Sequence, residues 1–341
     1  MIRNIVFDVG NVLVEFRWYE YMLDLGIDEE AAGFLGENMV LTDFWNRMDL
    51  GIQEEDEAPD IFCAKYPQYE REIRLFWKDT LQMVREYDYS LPLFKELKAG
   101  GYGVYLLSNY PPKLSGVHWP GFKFRAYADG EIISGIEKVA KPDPAIYKLL
   151  FDRYCLKPEE CLFVDDRDVN VEAAKNLGMK AFLFEAREGR PAIDRLKELI
   201  ESIEQENARE LASKAQEARK NAYCPYSHYA VGAAVLTQDR QVFTGVNIEN
   251  ASYPAGICAE RSAISAAVSS GAVKIRGVAV AGGREGHECS GAMPCGICRQ
   301  VLSEFAAPEG MDVYVVREGG THRYSLDELL PHSFGPDEVK Q

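Results

Sequence analysis

The sequence predicts two α/β domains in tandem, the first a Rossmann-like parallel sheet bearing a helical insertion and the second an α/β/α domain. Three observations predict this. Short apolar runs in the N-terminal half end in polar residues, the pattern of buried parallel strands whose carboxyl ends face a ligand. An aromatic-rich stretch with helical spacing separates the first of these runs from the next. In the C-terminal part a polar-tipped strand precedes two helices that each open on cysteine. With ~150 residues as an ordinary domain length, the 341 residues allow two separate cores.

The first apolar run is Ile5, Val6 and Phe7, ending at Asp8 just ahead of Gly10. VYLLSN (104–109) repeats the design and ends in Ser108 and Asn109. KPDPAIYKLL places Lys141 before a helix that a proline initiates. CLFVDDRDVNVEAA puts Asp165 and Asp166 at another strand end. Alone, each residue has an ordinary explanation: a surface lysine, a turn serine, a helix-capping aspartate. Together they make a phosphoryl-transfer site. Asp8 is the expected nucleophile. Ser108 and Lys141 are expected to hold the nonbridging oxygens, and Asp8, Asp165 and Asp166 a Mg²⁺ ion that offsets charge.

This set, over residues 1–185, resembles the haloacid dehalogenase superfamily, within the branch whose first motif reads DxGN and which includes sugar-phosphate phosphatases. The resemblance implies that Asp8, Ser108 and Lys141 are catalytic, that Asn109 lies against the substrate, and that Gly10 joins Asp8, Asp165 and Asp166 at the Mg²⁺ site. One departure matters. Most phosphatases of the superfamily carry a second aspartate two residues after the nucleophile as general acid, and here that residue is Gly10. A dehalogenase is disfavoured, because the acidic pair Asp165 and Asp166 points to a metal that dehalogenases do not use.

Residues 16–90 read as a helical cap, on the spacing in FWNRMDLGI and EIRLFWKDTLQMV. Caps select substrates and exclude water. Phe44, Trp45, Phe76 and Trp77 could stack on a base, although aromatic residues at helical spacing more often fill a core. The first domain is expected over 1–187, a linker over 188–205 in the charged stretch that begins at REGRP, and the second domain over 206–341.

In that second domain, Cys258, Ala259 and Glu260 are followed by Pro294, Cys295, Gly296, Ile297 and Cys298. Three cysteines can ligate one Zn²⁺ and leave its fourth position open, the pattern of a catalytic site; a structural zinc would recruit a fourth ligand such as Cys289, Cys224 or His287. Glu260 is then free to move protons. CAERSAISAAV and CGICRQVLSEF have helical spacing, so the cysteines are expected at helix starts, where the helix dipole favours thiolate. Arg261 and Arg299 are expected to hydrogen-bond the sulfurs. GVNIENASYP is expected to place Asn247 and Glu249 on one strand face, where they could bind a pair of ribose hydroxyls.

From about residue 207 to 336 the chain resembles the small homotetrameric cytidine deaminases, through NAYCPYSHYAVGAAV, GVNIENASY, CAERSAI, PCGICRQVLSEF and LLPHSFGP. The resemblance implies zinc on Cys258, Cys295 and Cys298, Glu260 as proton shuttle, ribose binding by Asn247 and Glu249, and substrate contact by Ala259. It also implies a homotetramer through this domain. Tyr229 stands where the family usually has Phe, keeping the ring but adding a hydroxyl that needs a partner. Blasticidin-type deaminases share the cysteines without the paired Asn and Glu.

The balance of 38 basic and 54 acidic residues gives a formal charge of −16, which argues against nucleic acid and for small nucleosides and phosphate esters as ligands. No apolar run reaches membrane length and no leader pattern opens the chain, so a cytoplasmic protein is expected. Eight cysteines fit a metal site plus free thiols rather than a disulfide framework. The expected function is a bifunctional hydrolase of pyrimidine salvage that removes phosphate from CMP or dCMP and deaminates the nucleoside. The alternatives are a cytidine deaminase with a catalytically weak phosphatase-like module, or a deaminase of a modified nucleoside joined to a sugar-phosphate phosphatase.

Overall fold

A computed structural model describes residues 1–185 and 190–335. The chain divides into two compact units, Ile2–Glu198 and Leu199–Gln341, with Met1 counted in the second. The helix Arg190–Arg219 runs through the position of this division, so helix occupies most of the stretch where a linker over 188–205 was expected. Residues 186–189, the start of that expectation, lie outside the described residues, as do 336–341.

The first unit is built on a five-stranded sheet in the order β5-β4-β1-β6-β7, from β1 (Asn4–Phe7), β4 (Gly103–Ser108), β5 (Gly130–Ile133), β6 (Cys161–Asp165) and β7 (Lys180–Leu183). Every pairing in it is parallel. β6 is buried along its whole length, which is why its sequence shows no alternation. A two-stranded antiparallel ribbon of β2 (Val14–Phe16) and β3 (Val84–Glu86) brackets the insertion. Between its strands lie the helices Trp18–Asp24, Glu29–Leu35, Asp43–Asp49, Ala58–Lys65 and Glu70–Lys78. The order of strands puts β1 at the centre, with its neighbours β4 and β6 reached by connections on either side. The crevice at their carboxyl ends is where such sheets bind ligands.

The second unit is a mixed sheet in the order β12-β11-β10-β8-β9, from β8 (Tyr229–Thr237), β9 (Val242–Val246), β10 (Ile275–Arg284), β11 (Asp312–Arg317) and β12 (Gly320–Ser325). Alternation sorts its side chains to two faces. Ala233, Val235, Val278 and Val280 pack against Ala259, Ala263, Ala267 and Leu302 of the helices Ala259–Ser269 and Gly296–Glu304. Ala234, Leu236, Ala279 and Ala281 pack on the other face against Leu211, Ala212 and Ala215 of the long helix. The result is the expected α/β/α layering. Gly245 lets one helix lie directly on β9, since a Cβ there would stand 2.2 Å from the Ala263 nitrogen. Among the described residues, no helix is long and apolar enough to cross a membrane.

Candidate active sites

The first site gathers at the carboxyl ends of β1, β4 and β6. Asp8 follows β1, Ser108 closes β4 and Asp165 closes β6, so three parallel strands deliver three polar groups to one crevice. Carboxylate oxygens of Asp8, Asp165 and Asp166 lie within 4.8 Å of one another. Buried Lys141 bridges two of them, with Nζ 2.9 Å from Asp8 Oδ1 and 2.6 Å from Asp165 Oδ2. Asp165 also accepts from the Asn170 amide at 2.9 Å and the Arg167 N–H at 2.9 Å.

Three carboxylates face one ammonium, leaving surplus negative charge in a buried place. Burial accordingly pushes the Asp8 carboxyl up to about 7, with Asp165 and Asp166 adding to the shift and Lys141 opposing it. Asp166 is raised in the same direction, by burial and then by Asp165. For Lys141, burial disfavours the charge, but Asp165 and Asp8 outweigh it and hold the lysine firmly protonated. A divalent cation on three clustered carboxylates would remove the surplus, so this donor set fits Mg²⁺. Ser108 supplies an independent sign of an oxyanion: its Oγ is buried and, among the described residues, has no hydrogen-bond partner.

Asn109 and Gly10 line the same cavity of about 220 Å³ as Asp8 and Lys141. The Asn109 amide is occupied by the main chain of Lys141, which its side chain both accepts from and donates to. Asn11 was not anticipated. It adopts a left-handed φ of 56° and donates from Nδ2 to Asp166 at 3.2 Å, a role the N of the DxGN motif could have suggested. Of the four cap aromatics, Phe76 is fully buried core and Phe44 packs edge-on against Phe62, whereas Trp45 lines the cavity and faces Trp77 at 5.9 Å between ring centroids.

The second site forms where two helices begin. Cys258 is the N-cap of Ala259–Ser269, Cys295 is the N-cap of Gly296–Glu304, and Cys298 lies in the first turn of the latter. Their sulfurs lie within 4.8 Å of one another, with Cys258 and Cys295 4.0 Å apart. Hydrogen bonding from Cys298 and Cys295, aided by the charge of Arg261, draws the Cys258 thiol down to about 6 against the cost of burial. The proton shared in that bond, together with burial, holds Cys298 high. A cluster this close, with one thiol already inclined to ionise, fits Zn²⁺.

No fourth ligand joins the cluster among the described residues. Cys289 accepts from Arg219, while Cys224 and His287 are engaged by Glu285. Three ligands with an open position is the catalytic pattern. Glu260 lines the adjoining cavity, 4% exposed, and its carboxyl is raised chiefly by burial, the condition for holding and releasing a proton. Ala259 is wholly buried beside it.

Asn247, Glu249 and Tyr229 line that cavity too, which measures about 530 Å³. The expected strand placement of the first two needs correcting. β9 ends at Val246, and Asn247 and Glu249 flank the single bridge residue Ile248. Asn247 ends the strand by clasping β8, accepting from the Val231 N–H at 2.8 Å and donating to the Tyr229 carbonyl at 2.9 Å. One amide hydrogen and one lone pair stay available to a ligand. Glu249 accepts from the Tyr226 and Ser227 N–H groups at 2.9 and 3.2 Å, and hydrogen bonding from the Ser227 side chain, followed by these N–H groups, lowers its pKa. The Tyr229 hydroxyl finds Ser290 at 2.9 Å. Arg299 also departs from expectation: it donates to the carbonyls of Pro294 and Leu329, bracing the turn before Cys295 rather than bonding sulfur.

Comparison with known proteins agrees with both halves of this picture. Residues 2–178 match the model of the haloacid dehalogenase-like hydrolases, and residues 205–313 that of the cytidine and deoxycytidylate deaminase zinc-binding region. The chain is 39% identical over 137 residues to a probable cytidine deaminase of Dictyostelium discoideum, covering 40% of this chain and 90% of the relative. It is 41% identical over 129 residues to a cytidine deaminase of Mycobacterium tuberculosis, covering 38% of this chain and 90% of that one. Over 178 residues it is 27% identical to the sesquiterpene phosphatase astK of Aspergillus oryzae, covering 51% of this chain and 85% of the relative.

Proposed function

Since this chain belongs to the haloacid dehalogenase-like hydrolases through its N-terminal half and to the cytidine deaminases through its C-terminal part, we propose that it deaminates cytidine or deoxycytidine at one site and hydrolyses a phosphate monoester at the other. The observation that carries the deaminase reading is the meeting of Cys258, Cys295, Glu260, Asn247 and Glu249 around one cavity. Asn247 and Glu249 hold the ribose, Tyr229 lies against the base, and Ala259 contributes its main chain. Cys258, Cys295 and Cys298 would hold Zn²⁺, which supplies Lewis acidity when bound. Glu260 takes a proton from the attacking water, gives it to N3 as oxygen bonds to C4, and assists departure of the C4 amine as ammonia.

At the other site Asp8 attacks phosphorus, and Ser108 Oγ and Lys141 Nζ hold nonbridging oxygens. Asp8, Asp165, Asp166 and the Gly10 main chain would hold Mg²⁺, which neutralises phosphate charge when bound. CMP and dCMP are the substrates that link the two reactions, because their dephosphorylation yields the nucleosides the other site consumes. The assembly is a homotetramer through the deaminase unit, working in the cytoplasm.

A second reading concerns the phosphate ester alone. The cavity beside Asp8 is walled by Val14, Phe16, Trp45, Met83, Val84 and Leu114, which favours an apolar leaving group, and the Aspergillus oryzae relative is named for one. The test is to supply the full chain with Zn²⁺ and Mg²⁺ and follow ammonia from cytidine and from deoxycytidine, and phosphate from CMP and from farnesyl phosphate. Ammonia from cytidine is expected. Phosphate from farnesyl phosphate but not CMP assigns the apolar ester; no ammonia from either nucleoside overturns the deaminase reading.

A further inference from the structure

We propose that Asp49, at the end of the insertion helix Asp43–Asp49, is the proton donor and acceptor of the Asp8 site, taking the part that Gly10 cannot play. This rests on the reading of that site as a phosphatase. Gly10 is ordinary in conformation and a Cβ there would meet nothing within 4 Å, so the residue leaves the leaving group without an acid for no steric reason. The proton must come from another wall of the cavity.

The acids and hydroxyls near that cavity can be taken in turn. His118 has both ring nitrogens engaged, Nδ1 with the Tyr110 hydroxyl at 2.6 Å and Nε2 with the Thr80 carbonyl at 2.8 Å. Tyr110 is committed to the same bond, and burial raises its hydroxyl far above its usual range. Glu55 spends both carboxylate oxygens on the N–H groups of Lys113 and Leu114, at 2.7 and 2.8 Å. Asp166 accepts from Asn11 and belongs to the cation site. Asp49 lines the cavity with Asp8, and among the described residues its carboxylate has no hydrogen-bond or ion-pair partner.

Its position is fixed by the chain on either side. The Asp49 carbonyl accepts from Ser134 Oγ, and that oxygen in turn accepts from the Tyr110 N–H at 2.9 Å, one residue beyond Asn109. Two residues on, the Gly51 carbonyl accepts from Lys138 Nζ, and a Cβ on Gly51 would stand 2.1 Å from the Gly135 carbonyl. The insertion is therefore pressed onto the 134–138 segment at the point where it presents Asp49. Burial pushes the Asp49 carboxyl up to about 7, Asp8 and Glu55 adding to the shift and Arg167 and Lys141 opposing it. A group poised there can give a proton and take one back near neutrality.

In the first step the Asp8 carboxylate bonds to phosphorus, the bond from phosphorus to the ester oxygen breaks, and the Asp49 proton passes to that oxygen to release the alcohol. In the second, water bonds to phosphorus, the bond to Asp8 breaks, and the water proton returns to Asp49. Ester and water become alcohol and phosphate, and the site is restored.

Leaving-group dependence tests this in the full chain with Mg²⁺. p-Nitrophenyl phosphate departs as a stable anion and needs no acid, whereas benzyl phosphate, similar in shape, releases a basic alkoxide. Asp49→Asn is expected to lower kcat/KM for benzyl phosphate by about 10²-fold while leaving kcat/KM for p-nitrophenyl phosphate, which reports only phosphoryl transfer to Asp8, within about threefold of wild type; kcat falls on both esters, because water attack on the aspartyl phosphate loses its base. Retained kcat/KM for p-nitrophenyl phosphate shows that the variant is folded. Equal losses of kcat/KM on both esters, or none on either, overturn the proposal. Wild-type chain that hydrolyses neither ester overturns the phosphatase reading itself.

Discussion

Asn109 and Lys141 hold each other twice: Asn109 Oδ1 accepts from the Lys141 N–H at 2.8 Å and Nδ2 donates to the Lys141 carbonyl at 2.9 Å. This reciprocal pair ties the end of β4 to the loop that carries the lysine. Lys141 can then reach Asp8 and Asp165 at once, although it is almost fully buried.

Asn109→Ala should release the lysine loop while leaving every charged group in place. Phosphatase kcat is expected to fall by about 10²-fold from misplacement of Lys141, with cytidine deamination unchanged. Steady-state assays of both activities on one preparation check this.

Ser108→Ala offers a sharper separation. Its Oγ is buried without a partner among the described residues, so removing it should leave thermal stability equal or raise it by about 1 kcal/mol. Phosphatase kcat/KM should nevertheless fall by about 10²-fold, the loss of one oxyanion contact. A variant that melts lower would contradict the assignment of a free hydroxyl.

For the cysteine cluster, Cys295→Ala should lose zinc and deaminase activity together, because two sulfurs are left to hold the ion. Glu260→Gln should retain zinc in full and lose turnover. Elemental analysis alongside cytidine assays separates a metal ligand from a proton shuttle.

His118 makes one contribution to the pH dependence of stability. Burial holds its folded-state pKa below the ordinary 6.5, with the Thr80 carbonyl partly opposing. Above 6.5 the ring is neutral in both folded and unfolded chains. As pH falls below 6.5 the unfolded chain takes up the proton first, so stability drops until the folded-state pKa is passed. The raised carboxyls of Asp8 and Asp49 act in the opposite sense over the same range, so the ring is read by difference: in thermal melts from pH 7.5 to 5, wild type should lose stability relative to His118→Gln as pH falls.

Much of both sites was legible because the chemistry sits at sequence-local boundaries. The run Ile5 to Phe7 ending at Asp8, VYLLSN ending at Ser108 and CLFVD ending at Asp165 each announce a buried strand and its tip in a few residues. Cys258 and Cys295 each immediately precede a helix, so their placement also follows from local pattern. Asn247 and Glu249 were placed one element too early. Past Val246 the Asn247 side chain, not the main chain, occupies the Val231 N–H and the Tyr229 carbonyl of β8, a cross-strand event that alternation does not report. Arg299 was likewise expected on sulfur and instead braces two carbonyls, one of them 30 residues away. Asp49 carried no signal at all. Its approach to the cavity depends on the docking of Gly51, Glu55 and the Asp49 carbonyl onto distant segments.

The most direct test of two active sites in one chain is the product pattern from CMP, read for wild type, Asp8→Asn and Glu260→Gln by chromatography. The account predicts phosphate and uridine from wild type, phosphate and accumulating cytidine from Glu260→Gln, and neither phosphate nor nucleoside from Asp8→Asn, which still deaminates added cytidine. Formation of UMP by the Asp8→Asn chain, or release of phosphate from CMP at an undiminished rate, would contradict it.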